Sequence, residues 1–79
     1  MNDLHDLRLR PYLTFRQRQC MQLLVEGKTA GEISIALSLS IRTVREHLRR
    51  AKIQLGCYST LQAAVKAERM GLLKDPRLD

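Results

Sequence analysis

The stretch Leu37-Ser38-Leu39-Ser40, running on into Ile41-Arg42-Thr43-Val44-Arg45-Glu46-His47-Leu48-Arg49-Arg50-Ala51-Lys52-Ile53-Gln54-Leu55, decides the fold. Two apolar-periodic segments meet there, with only Ser38 and Leu39 between the end of the first, Leu37, and the cap of the second, Ser40. A turn that short makes its helices cross steeply, which is the geometry of a helix-turn-helix. Stepping about 100° per residue from Val44 places Val44, Leu48, Ala51 and Leu55 in one narrow sector and Arg42, Arg45, Glu46 and Arg49 opposite. One face packs and the other is charged.

Working outward, helix starts are marked by residues whose chemistry is explicit. Thr14 precedes Gln17 by three, Thr29 precedes Glu32 by three and Ser59 precedes Gln62 by three. Each pair fits a capping box, in which the hydroxyl accepts from a free backbone N–H and the longer side chain reaches back to the cap. Ser40 is a fourth cap without the box. The spacing predicts helices over roughly Phe15 to Glu26, Ala30 to Leu37, Ile41 to Leu55 and Thr60 to Met70. Gly27, Gly56 and Gly71 each fall just past an end, where a left-handed residue closes a helix with least strain. Cys20, Met21, Leu23 and Leu24 form the inward stripe of the first helix, and Ile33 and Leu37 that of the second.

The fold class read from this pattern is all-α: a four-helix, bundle-like domain over 13–73. Residues 1–12 read as an arm or linker stub ending at Pro11, and 74–79, with Pro76 and four charges, as a disordered tail. Only Tyr12, Phe15 and Tyr58 are aromatic, so the core is built from Leu, Ile, Val, Ala and Met, which suits helices better than sheets.

Seventy-nine residues leave little room for a catalytic cleft. No Ser, Asp or second His completes a catalytic set with His47, which lies about 60° from the packed stripe as a boundary residue. No enzyme activity and no catalytic residue are expected. Cys20 and Cys57, with His5 and His47, show no close-spaced pair of the zinc-site kind, so neither a metal nor a cofactor is expected. Both cysteines stand where a small apolar residue fits and read as reduced thiols. The chain has no apolar run long enough to span a bilayer and no signal-peptide core at its start, and reads as cytoplasmic, with no membrane partner.

Fourteen Lys and Arg against eight Asp and Glu give a net charge of +6, which favours a polyanionic partner. From Ile41 to Leu55 five cations (Arg42, Arg45, Arg49, Arg50 and Lys52) stand against one acid, Glu46. A charge run alone is ordinarily a solvated face. This one belongs to the second helix of a tight helix-turn-helix, where guanidiniums donate bidentately to guanine O6 and N7 and cations nearer the rim, Arg50 and Lys52, pair with phosphates. Helix starts hold phosphates too, which nominates Lys28, Thr29, Ser40 and Thr43. The expected partner is double-stranded DNA, read in the major groove.

The series Leu13-Thr14-Phe15-Arg16-Gln17-Arg18-Gln19, Glu26-Gly27-Lys28-Thr29, Glu32-Ile33, Leu37, Ser40, Thr43-Val44, His47-Leu48, Leu55-Gly56, Ala63-Ala64, Ala67 and Gly71-Leu72 resembles the LuxR-type (GerE-like) helix-turn-helix domain. The resemblance runs from about Leu13 to Leu73 without gaps. It implies a sequence-specific transcriptional regulator that binds DNA as a homodimer, with the fourth helix as the dimer contact. By position, Arg45, Glu46 and Arg49 fall where family members touch bases, and Thr29 and Thr43 where phosphates are held; Arg42 joins the base-reading set from the helical wheel. Leu61, Val65 and Glu68 edge the implied dimer contact, while Ala63, Ala64 and Ala67 suit a helix lying close to the core. RNA polymerase or a second regulator is a further implied partner.

The chain departs from the family pattern in several places. Gln17 and Gln19 replace the usual glutamates, Thr60 stands where an arginine or another polar residue is common, and Ser38 replaces a frequent turn glycine. Lys52 replaces an apolar or aromatic residue, and Ile35 and Ile53 occupy faces that are usually polar. Members usually carry a receiver or sensing domain ahead of this module, so the chain reads either as a stand-alone regulator or as the C-terminal part of a longer one. Two other readings compete. A promoter-reading domain like sigma factor region 4 shares the Leu-Thr-x-Arg-x-Arg start, but a helix after Gly56 argues against it. An antagonist that keeps the fold and pairs with a full-length regulator through Leu61, Val65 and Ile35 would have no use for the basic face.

Overall fold

The computed structural model describes residues 13–73; the expected arm and tail lie outside them. Four helices follow in order, α1 (Phe15–Val25), α2 (Ala30–Leu37), α3 (Ile41–Gln54) and α4 (Thr60–Arg69), with no strand among the described residues. Each starts at the hydroxyl residue expected to cap it. The Gln17 N–H donates to Thr14 Oγ1 at 3.1 Å while the Thr14 N–H donates to Gln17 Oε1 at 3.0 Å. Thr29 and Glu32 make the same reciprocal pair at 3.1 and 2.9 Å. Ser40 accepts from the Thr43 N–H at 3.0 Å. A cap of this kind stabilises its helix by about 1 kcal/mol.

The third box differs from its expectation. Ser59 accepts from the Gln62 N–H at 3.1 Å, but the Gln62 carbonyl takes the Tyr58 N–H, one residue early, at 3.3 Å. All three caps have extended backbone, but Ser59 does so at φ −133°, against −68° and −79° for Thr14 and Thr29. α2 ends at Leu37 as the spacing predicts, while the other three helices end one residue early, because Glu26, Leu55 and Met70 are the C-caps of α1, α3 and α4.

The turn between α2 and α3 carries a local penalty. Ser38 sits in the left-handed region at φ 56° and ψ 43°. The Ser38 N–H donates to Ile35 O and the Leu39 N–H to Ser34 O, so the orphan carbonyls of α2 are satisfied by a residue with a Cβ at the position glycine takes without strain.

The core is one cluster. Cys20 and Met21 of α1, Ile33 of α2, Val44, Leu48 and Ala51 of α3 with its cap Leu55, and Ala63, Ala64 and Ala67 of α4 are buried together with Leu13 and Leu73. Leu23, Leu24 and Leu37 are half-buried against it. α1 and α3 each touch all three other helices. The recognition segment is thus held from several sides, each fully buried Leu, Val or Ile stabilising by about 1.5–3 kcal/mol. The three alanines let the α4 backbone lie close to this centre, as their size required.

A cross-helix bond locks that arrangement. The Lys66 ammonium of α4 donates to Leu55 O at 2.8 Å, placing a cation on a terminal carbonyl of α3 that the Cys57 thiol also approaches, where the helix dipole favours it. At the other end Gln17 is 5% exposed. A neutral amide completes the α1 cap there without burying the charge that a glutamate would bring. Gln19 accepts from Arg16 Nη1 at 2.9 Å, so this one of the two substituted glutamines still engages a neighbouring arginine, as a neutral acceptor. Cys20 is fully buried and burial pushes its thiol up from the ordinary value, while Cys57 is half-buried; both are free.

Candidate nucleic-acid interface

α3 presents its two faces as the wheel requires. Val44 and Ala51 are 0% exposed, Leu48 5% and Leu55 2%, whereas Arg42, Arg45, Arg49 and Arg50 are exposed. His47 is half-buried at the boundary. The inward stripe fixes the roll of the helix, so the orientation of the basic face follows from packing rather than from the arginines themselves.

The charged side chains divide into two kinds. Arg42 and Arg45 project without an ion pair among the described residues. Arg49 and Arg50 converge on Glu46 from the following turn. Arg49 Nε and Nη2 donate to Glu46 Oε1 and Oε2 at 3.1 and 3.0 Å, and Arg50 Nε donates to Oε2 at 2.6 Å. These bonds, Arg49 first and Arg50 second, lower the Glu46 carboxyl to about 2, and the same contact raises the Arg49 guanidinium. Glu46 therefore stays ionised at any physiological pH. All three side chains remain open to water, so the cluster shapes the surface more than it holds the fold.

The phosphate-side candidates lie at two helix starts. Thr29 and Thr43 are exposed, as are Lys28 and Ser40. Thr29 Oγ1 acts as an acceptor in the α2 cap, which leaves its own hydroxyl proton for an outside oxygen. Ser40 accepts from the Thr43 N–H and donates to Thr43 Oγ1 at 2.9 Å, so the free hydroxyl proton of this pair belongs to Thr43. Glu32 shares the α2 cap with Thr29, whose backbone bond holds the Glu32 carboxyl below the usual range. Lys52 is half-buried in the last turn of α3, less free than Arg50 to reach outward.

The outer side of α4 is of a different character. Leu61 is 58% exposed, Val65 36% and Met70 46%, and with Ser59, Gln62, Lys66 and Arg69 they line a shallow, mainly apolar groove. Glu68 is exposed but does not line it. Met70 escapes the spacing because it is the C-cap, where the period of three to four no longer reports direction. Ile35 is 80% exposed and Ile53 58%, on the faces where the pattern departs from the family.

A tight helix-turn-helix with a basic, outward second helix defines a DNA-binding domain. Residues 11–67 match the model of the family described as bacterial regulatory proteins, luxR family. The chain is 43% identical over 65 residues to the spore germination protein GerE of Bacillus subtilis (strain 168), covering 82% of this chain and 88% of that one. It is 33% identical over 73 residues to the transcriptional activator protein AnoR of Acinetobacter nosocomialis, covering 92% of this chain but 31% of AnoR. The structure of the transcription factor GerE matches with a TM-score of 0.74 at 38% identity, over 89% of this chain and all of that one. The chain belongs to the LuxR family and is a DNA-binding domain of its transcriptional regulators. Among the described residues no helix is long and apolar enough to cross a membrane.

Proposed function

We propose that the domain reads a specific duplex site by laying α3 in the major groove, with Arg42, Arg45 and Arg49 toward base edges. Lys28, Thr29, Ser40 and Thr43 hold phosphates on either side, Arg50 stands at the rim with its Nε on Glu46, and Lys52 contributes charge from its half-buried position. The observation that carries this is the buried stripe at Val44, Leu48, Ala51 and Leu55, which leaves α3 one available face, and that face is basic. Arg45 is the strongest base-reading candidate, because it stands central on that face without an ion pair among the described residues.

The domain works as a homodimer through the outer side of α4. Exposed Leu61, Val65 and Met70 are the apolar residues that a second copy would cover, and Glu68 lies on its flank. Two-fold pairing sets two α3 helices on a pseudo-palindromic site, about one helical turn of DNA apart or a multiple of it.

Selection of bound sites from random duplex DNA, with sedimentation of the free and bound protein, tests both parts. The expected result is a two-fold symmetric site, dimeric stoichiometry and affinity that falls steeply with salt. Arg45→Ala and Arg49→Ala relax base preference at one position per half-site, whereas Lys28→Ala weakens all sequences alike. An Arg45→Ala protein that recovers the same site with undiminished preference contradicts the assignment.

A further inference from the structure

The Glu46 carboxylate stands in the middle of the basic face, and its geometry suits a role other than touching a base. Arg49 meets it side-on, through Nε and Nη2, at 3.1 and 3.0 Å. A guanidinium has a second bidentate edge, made by Nη1 and the remaining Nη2 proton, and side-on pairing leaves that edge unused. It is the edge that matches guanine O6 and N7. Glu46 has meanwhile accepted three bonds, two from Arg49 and one from Arg50 Nε at 2.6 Å. Of its roughly four acceptor directions, one is left, on Oε1, so most of its capacity is spent on the two arginines.

We propose that Glu46 is a positioning residue that fixes the Arg49 guanidinium for guanine and withholds Arg50 from indiscriminate phosphate pairing. The inference rests on the reading that α3 enters the major groove. Two physical effects follow from one carboxylate. Holding the flexible Arg49 side chain before contact reduces the ordering lost on binding, which favours the correct base. Its negative charge, set among cations that would otherwise neutralise phosphates, weakens binding to every sequence equally. Specificity is the difference between those two, so Glu46 raises it from both sides.

The test is a comparison of wild type, Glu46→Gln, Glu46→Ala, Arg49→Ala and the Glu46→Ala/Arg49→Ala double variant. Each is titrated with the selected site, with that site changed at the guanine assigned to Arg49, and with random duplex, over a range of salt. Circular dichroism confirms the helical fold of each. Both Glu46 variants are expected to bind random duplex more tightly, with a slope of log affinity on log salt steeper by about 0.9 as Arg50 takes up a phosphate. Discrimination at the Arg49 guanine is expected to fall by roughly fivefold or more, the low end of what a bidentate arginine–guanine pair supplies. In the Arg49→Ala background, removing Glu46 is expected to cost no further discrimination. A Glu46→Ala loss that persists in that background means Glu46 reads a base itself, and discrimination unchanged in both Glu46 variants means it positions nothing; either result overturns the proposal. Failure of the major-groove reading looks different, since wild type would then show no preference among duplexes, and the proposal would fall with it.

Discussion

α3 and α4 are both anchored by a buried stripe, yet they turn opposite chemistries outward. α3 packs on Val44, Leu48 and Ala51 and shows arginines to solvent; α4 packs on Ala63, Ala64 and Ala67 and shows Leu61, Val65 and Met70. A helix that is charged outside is at rest in water and gains by meeting a polyanion. One that keeps apolar side chains outside gains by losing water, so its natural cover is another apolar surface. The difference sets two chemistries on two faces, joined by the Lys66 bond to the C-cap of α3. The size of the inner side chains follows the same division. Small ones draw α4 in, while larger ones set the roll of α3.

The comparison breaks most visibly when the α3 anchor is cut. Leu48→Ala is expected to destabilise the domain by about 2–5 kcal/mol, a large share of what so small a fold possesses. Urea denaturation followed by circular dichroism measures it, and DNA binding should fail together with the fold. Joint replacement of Leu61 and Val65 by glutamate is the counterpart on α4. It is expected to change stability little, because both side chains are exposed, but to yield a monomer by sedimentation and to lose the cooperative half of DNA binding. A monomer that still binds the full site at wild-type affinity would remove α4 from the interface.

A smaller effect sharpens the turn that sets the angle between α2 and α3. Ser38→Gly relieves a left-handed residue of its Cβ and is expected to stabilise by about 1 kcal/mol, read as a rise in the melting temperature. The smallest is acid dependence. Glu46 is held below its ordinary 4.5, at about 2, so its contribution is complete above the unfolded value and declines as pH falls from about 4.5 toward 2. Glu46→Gln should erase that part of the acid titration of thermal stability, and leave the rest.

Much of this was legible in the sequence because it depends on neighbours within one turn. Thr14, Thr29 and Ser40 cap where a hydroxyl followed by periodic apolar residues requires, and Val44, Leu48, Ala51 and Leu55 report the inward face through spacing alone. Gly27, Gly56 and Gly71 all take positive φ at helix ends. What escaped depends on how helices meet. Lys66 reaches Leu55 O across eleven positions, a contact set by the α3–α4 crossing, which no local period encodes. Gln62 accepts from the Tyr58 N–H rather than from that of its cap, a choice of partner that residue type and spacing do not encode. The spacing of Glu46, Arg49 and Arg50 at three and four was visible, but that one carboxylate engages both arginines, the first of them side-on, is a matter of rotamers.

The central claim, that the outward face of α3 lies against base edges, is tested most directly by dimethyl sulfate protection on the selected site. Guanine N7 is methylated in the major groove and adenine N3 in the minor groove, so one reagent reports both. Guanine N7 is expected to be protected in each half-site with adenine N3 unchanged, and Arg45→Ala to lose protection at one guanine per half-site. Unprotected N7 positions beneath a bound protein, or protection confined to adenine N3, would contradict the claim.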